Sequence, residues 1–94
     1  MPSPTNTDIH ILQLIKNLDK QVIPIILEQY GDSLYGIAYR KLQRESLAVT
    51  AVQQTFVTVW QQLSGFNEAE DRIFNWILKI MNNIIANNYY QEAA

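Results

Sequence analysis

The sequence has no cysteine and only one histidine, His10. Without cysteine the chain has no disulfides, no thiolate nucleophile and no zinc site built on thiolates. A single histidine cannot supply a histidine metal cluster, so we predict neither a metal nor any other cofactor. We interpret His10 as a surface residue of a leading helix rather than as a general base.

Glycine and proline are also scarce, with three of each, and two of the prolines are Pro2 and Pro4. Few turn residues predict a small number of long elements. No apolar run approaches the roughly 20 residues that a membrane span needs. Residues 1–7 have neither the basic nor the apolar region of a signal peptide. We therefore expect a cytoplasmic protein with no membrane partner.

Charge is the third shortage. Sixteen of the 94 residues are charged, which is 17%, whereas soluble domains average about 25%. Asparagine and glutamine together number seventeen, so side-chain amides outnumber charges. The net charge of −2 argues against a protein that coats nucleic acid without sequence preference. The 48% hydrophobic content excludes a disordered chain, and the length suits one domain.

The spacing of apolar residues predicts four helices in a compact all-α bundle, with three main helices behind a short leading one. Their expected ranges are about 7–17, 19–43, 46–63 and 70–90. We expect residues 1–6 to be a disordered lead-in and residues 7–91 to form a single domain, with no second domain in the chain. We expect Gly31 not to interrupt the second helix, and Ser46 and Gly65 to cap the third.

The predicted core comes from one apolar stripe on each main helix. The third helix is rich in β-branched residues that would suit a strand, but its apolar period is that of a helix. The fourth stripe is wide enough to face two neighbours. The three stripes comprise Ile23, Leu27, Tyr30, Leu34, Ile37 and Leu42; Val49, Val52, Phe56, Val59, Trp60 and Leu63; and Ile73, Phe74, Ile77, Ile80, Met81, Ile84 and Ile85.

Catalytic constellations are nearly absent from the sequence. The carboxylates of Glu68, Glu70 and Asp71 lie close together, but at a predicted helix start, where acidic residues favour the positive end of the helix dipole. No glycine-rich phosphate loop occurs. We therefore predict that the protein is not an enzyme and has no small-molecule substrate.

The polar positions of the last two helices are filled mainly by neutral side chains. No charged residue occurs from Ser46 to Asn67, and five asparagines supply the polar positions of the fourth helix. A neutral face of this kind can bind a protein or a nucleic acid through hydrogen bonds, and asparagine and exposed aromatic residues can recognise single-stranded bases. The same pattern also suits an ordinary soluble surface, so both interpretations stay open.

Three blocks of sequence resemble region 2 of the extracytoplasmic-function (ECF) sigma factors, a group within the sigma-70 family. The first block is the stretch 30–40, which is similar to the first conserved helix of that region. The second is 48–60, with its Gln-Thr-Phe and Val-Trp groups, and the third runs from Trp76 through Ile80 to Asn83. The order and spacing of the blocks also match, and the resemblance covers about residues 8–90.

The resemblance implies a transcription initiation domain that binds RNA polymerase core, at its beta-prime coiled coil, and the −10 element of promoter DNA. The implied polymerase-binding residues are Thr50, Gln53, Gln54 and Val57. The implied DNA-binding residues are Phe66, Asn67, Arg72, Trp76, Lys79, Asn82 and Asn83. Phe56, Trp60 and Ile80 would belong mostly to the core.

The chain departs from the family pattern on both implied faces. Typical members carry acidic residues around the Gln-Thr-Phe block, where this chain has Thr50 and Gln54. They also carry a basic residue just before the family asparagine, where this chain has Asn82. An alternative function therefore stays open, in which a charge-depleted sigma-like module binds a protein, either an anti-sigma partner or a second copy, without binding DNA.

Overall fold

A computed structural model describes residues 6–17, 19–67 and 69–88 of the chain. The described residues contain four α-helices and no strand, which confirms the all-α bundle. The helices are α1 (Asn6–Lys16), α2 (Val22–Leu42), α3 (Glu45–Gln62) and α4 (Ile73–Asn88), with a 3-10 turn at Leu63–Gly65. The predicted lead-in, apart from Asn6 at the start of α1, lies outside the described residues. So does the end of the predicted domain beyond Asn88.

The helix α2 starts in a turn and ends on a left-handed residue. The Asp19 carboxylate accepts a hydrogen bond from the Gln21 N–H at 2.9 Å just before the helix. Pro24 lies in the first turn, where its missing N–H removes no helical hydrogen bond, and the helix continues through Gly31 as predicted. At the other end Gln43 has φ of 58°, and its N–H donates to the Tyr39 carbonyl at 2.8 Å. A non-glycine residue thus closes α2.

The core forms around α3, which packs extensively against both α2 and α4. Small residues are among the buried ones on α2 and α3: Gly31, Ala38, Ala48, Ala51 and Thr55. The Thr55 hydroxyl is fully buried and donates to the Ala51 carbonyl at 2.7 Å, so it is satisfied within its own helix. Large side chains from all four helices fill the rest, among them Ile11, Leu34, Phe56 and Ile77.

Three of the predicted core residues are exposed instead. Leu27 is 48% exposed, Val49 40% and Trp60 37%. The stripe prediction counted only large apolar residues, whereas the small residues Ala38, Ala48 and Ala51 are fully buried on α2 and α3. Phe56 and Ile80 are buried as predicted.

Both predicted caps of α3 were wrong. The residue before the helix is Arg44, which has extended backbone, and no side chain caps the first turn; Ser46 is the second residue of the helix. Gly65 ends the 3-10 turn without a positive φ. The 3-10 turn at Leu63–Gly65, and not a glycine cap, therefore ends α3.

The start of α4 was also predicted too early, at residue 70 instead of Ile73. Asn67 forms a turn, because its carbonyl accepts hydrogen bonds from the N–H groups of Glu70 and Asp71 at 3.1 and 3.2 Å. Its side-chain oxygen accepts a further one from Ala69 at 2.9 Å. These bonds place the acidic residues in a connecting turn before the helix.

Candidate protein and nucleic-acid interfaces

The four residues predicted to bind polymerase lie together on the exposed side of α3. Val57 is 58% exposed, and Gln53, one helical turn earlier, is exposed beside it. With Gln54 they border a shallow groove of about 360 Å³ that extends to Ile84 and Asn88 of α4. The Thr50 hydroxyl donates to the Ser46 carbonyl at 2.9 Å, so its polar group is used within the helix.

Sequence reasoning missed two members of this face. Val49 and Trp60 are exposed, and helical spacing aligns them with Gln53 and Val57 on one side of α3. The helical spacing of positions 49, 53, 57 and 60 was visible in the sequence, but Val49 and Trp60 were assigned to the core. The α3 face is hereafter the uncharged exposed surface formed by Val49, Thr50, Gln53, Gln54, Val57 and Trp60.

The residues predicted to bind DNA also come together. Five of them lie within about a third of the circumference of α4, counting the residue just before the helix, because most are spaced three or four residues apart: Arg72, Trp76, Lys79, Asn82 and Asn83. Arg72, Lys79 and Asn83 are exposed, and Trp76 and Asn82 are partly buried. The α4 face is hereafter this surface together with Phe66 and Asn67 in the preceding loop.

An aromatic pair connects the loop to the helix. The rings of Phe66 and Trp76 have centroids 5.1 Å apart and are tilted by 54°. Both side chains are half-buried, so each also keeps an accessible part. Phe66 and Asn67 border a groove of about 220 Å³ whose other side is formed by Leu12, Ile15 and Lys16 of α1. The pair gives this end of the bundle a fixed apolar surface against which a planar group can stack.

An ion pair fixes Lys79 on the α4 face. Its ammonium donates to the Asp71 carboxylate at 2.7 Å, and the lysine side chain is 72% exposed while the aspartate is 17% exposed. This hydrogen bond lowers the pKa of Asp71; partial burial opposes the effect, and the backbone N–H of Arg72 adds to it. The carboxylate is therefore held ionised and partly neutralises the cation beside it.

A second lysine, Lys41, lies at the edge of this face and was not predicted to do so. Its ammonium donates to the side-chain oxygen of Asn82 at 2.7 Å across the contact between α2 and α4. The two residues are 41 positions apart, which no local pattern connects. Asn82, predicted to bind DNA, thus uses its oxygen within the protein.

Comparison with known proteins decides the family. The sequence model of sigma-70 region 2 matches residues 26–93, which is more than half of the chain. The chain belongs to the sigma-70 region 2 family. No curated protein and no solved structure matches it significantly.

The match covers most of the bundle of this sigma-70 region 2 domain. It begins within α2 and includes all of α3 and α4, so both faces lie inside it, whereas α1 lies before it. The family consists of non-enzymatic transcription initiation factors, so the general role of the domain is in transcription initiation. Among the described residues, no helix combines the length and apolar character that crossing a membrane requires.

Proposed function

We propose that the chain is the region 2 domain of an ECF-type sigma factor that binds RNA polymerase core through its α3 face and the promoter −10 element through its α4 face. The observation that carries the proposal is the family match over both faces. On this proposal residues 7–91 act as one domain, in the cytoplasm, where RNA polymerase and promoter DNA meet.

The chemistry of the α3 face supports a protein partner. It combines amides with the exposed side chains of Val57 and Trp60 and carries no charge. The cores of protein interfaces are depleted in charged residues and enriched in aromatic ones. We therefore assign this face to the beta-prime coiled coil of the polymerase.

The chemistry of the α4 face supports DNA. Trp76 and Phe66 offer ring surface for a base, while the cations of Arg72 and Lys79 lie within reach of a backbone that passes along the helix. Asn83 is exposed and has an amide suited to a base edge. Single-stranded DNA of the opened −10 element presents all three features at once.

Co-purification with polymerase core, or with the isolated beta-prime coiled coil, tests the first half of the proposal. We expect a complex at micromolar concentrations, with a typical ECF sigma factor as the positive control. If the control binds and this chain does not bind at tens of micromolar, the assignment of the α3 face is wrong.

A second candidate function rests on the low charge of the chain. With seven Lys and Arg residues and none from residue 46 to 67, the domain has few groups for phosphate contacts. We therefore keep the alternative of a sigma-like module that binds an anti-sigma protein or a second copy without DNA. Sequence-specific binding of single-stranded −10 DNA that depends on Trp76, with the fold intact, would exclude this alternative.

A further inference from the structure

Two lysines are held in different ways at the α4 face, Lys79 as one of its members and Lys41 at its edge on α2. Asp71 holds Lys79 with a carboxylate, which partly neutralises its charge. Asn82 holds Lys41 with a neutral amide oxygen at the same distance of 2.7 Å, which leaves the charge of Lys41 intact. An ammonium has three donors, so one bond to Asn82 leaves two for another acceptor.

The position of Lys41 follows from the packing of α2 against α4. Lys41 lies in the last turn of α2, where the negative end of the helix dipole stabilises a cation. Asn82 lies at the edge of the α4 face and is partly buried, and it draws the lysine side chain to that edge. The cationic part of the α4 face therefore continues beyond α4 onto the end of α2.

We propose that Lys41 is a DNA phosphate contact of this domain and that Asn82 is a positioning residue, which acts on DNA by holding Lys41 rather than by binding a base. The inference rests on the proposed DNA-binding function of the α4 face. It adds a residue from a different helix and changes the role of one residue that sequence alone assigned to DNA.

The test is the salt dependence of binding to a −10 oligonucleotide by the complex of this chain with polymerase core. For single strands the slope of log K against log[salt] is about −0.7 for each phosphate neutralised. Lys41→Gln should flatten the slope by about that amount and weaken binding to all sequences alike, and Lys41→Arg should restore both. Arg40→Gln removes the same charge from the preceding residue and is the matched control, with no change in slope.

An unchanged slope in Lys41→Gln would overturn the phosphate contact. If the wild-type complex forms but does not bind the oligonucleotide, the proposed DNA-binding function fails instead, and this inference fails with it. Circular dichroism and thermal unfolding of each variant check the fold, which the three substitutions should leave intact because Arg40 and Lys41 are both exposed.

A double-mutant cycle tests the positioning role. Asn82→Ala should weaken DNA binding in the wild-type background but have no further effect in Lys41→Gln, because the two residues act as a unit. Asn82→Asp should flatten the slope as Lys41→Gln does, since a carboxylate would neutralise the lysine. If Asn82→Ala weakens binding equally in both backgrounds, Asn82 contacts DNA directly and the positioning role is wrong.

Discussion

The α3 face and the α4 face belong to the same bundle but differ in how they use side-chain amides. On α3 the amides of Gln53 and Gln54 lie among exposed apolar residues, and no charge is near them in the sequence. On α4 the amide of Asn82 holds a lysine, and Asp71 holds another. The first surface stays neutral, while the second collects cations from two helices. Although the whole chain has few charges, one face is uncharged and the other is cationic.

This difference shows that amide content alone does not define a function. What distinguishes the faces is the partner of each polar group: the backbone for Thr50, a cation for Asn82. If the faces are functionally separate, a substitution on one face should leave the binding activity of the other unchanged.

A charge placed in the α3 face should have the largest effect. Val57→Glu puts a carboxylate at the most exposed apolar residue of the α3 face, where it would lose its hydration on binding. We expect the affinity for polymerase core to fall about thirtyfold, or about 2 kcal/mol, which is typical of an interface hot spot. Binding assays with purified core enzyme measure it.

The matched control is Gln13→Glu, which adds the same charge at an exposed position on α1 and should leave polymerase binding unchanged. Both variants should keep the wild-type salt slope for DNA. An equal loss of affinity in the two variants would mean that net charge, and not the α3 face, governs polymerase binding.

The two tryptophans provide a direct comparison of the faces. Trp76→Ala removes a ring that packs on Phe66, and we expect binding to single-stranded −10 DNA to fall about tenfold, because stacking of one base contributes about 1–3 kcal/mol. Trp60→Ala makes the same change on α3 and should weaken polymerase binding instead. Fluorescence anisotropy with a labelled oligonucleotide measures the first effect.

Trp76 is half-buried and also packs against the core, so Trp76→Ala reduces stability by more than the roughly 1 kcal/mol of the lost ring pair. Trp76→Phe keeps a ring in contact with Phe66 and should restore most of the DNA binding. Loss of DNA binding in Trp60→Ala to the same extent as in Trp76→Ala would contradict the separation of the faces.

The sequence predicted the helices better than it predicted which residues lie in the core. Residue order and spacing identified α2, α3 and α4, and the family resemblance implied that Thr50, Gln53 and Val57 share the exposed side of α3. The apolar stripes failed at Leu27 and Trp60, and they left out small residues such as Ala38 and Ala51, which are fully buried.

Contacts between residues far apart in the sequence could not be predicted for a different reason. The bond between Lys41 and Asn82 depends on how α2 crosses α4, and the pair of Phe66 and Trp76 depends on the loop that joins α3 to α4. Helical periodicity describes one helix at a time, so it places residues on faces but does not join faces of different helices.

A smaller effect is expected from releasing Lys79. Asp71→Asn removes the carboxylate that partly neutralises Lys79, so the α4 face gains net positive charge. We expect DNA affinity to rise about two- to fivefold at low salt, the size of effect that an exposed ion pair has. Glu70→Gln changes the net charge equally from the same turn and is the control. A rise of the same size in the control would show that Lys79 is not the group released.

The smallest effect is the titration of Asp71 itself. The hydrogen bond from Lys79 lowers the pKa of the Asp71 carboxyl, so its NMR titration midpoint should lie below the ordinary value of 3.8, and Lys79→Gln should raise it. Because the folded-state pKa is lowered, the contact stabilises the fold above that ordinary value, and the stabilisation is lost as pH falls through the lowered pKa. The difference in unfolding free energy between wild type and Asp71→Asn should therefore be constant from pH 5 to pH 8 and shrink only in stronger acid.

A wild-type midpoint at or above 3.8 would mean that the ion pair does not persist in solution, and Lys79 would then be as free as Lys41 to contact DNA.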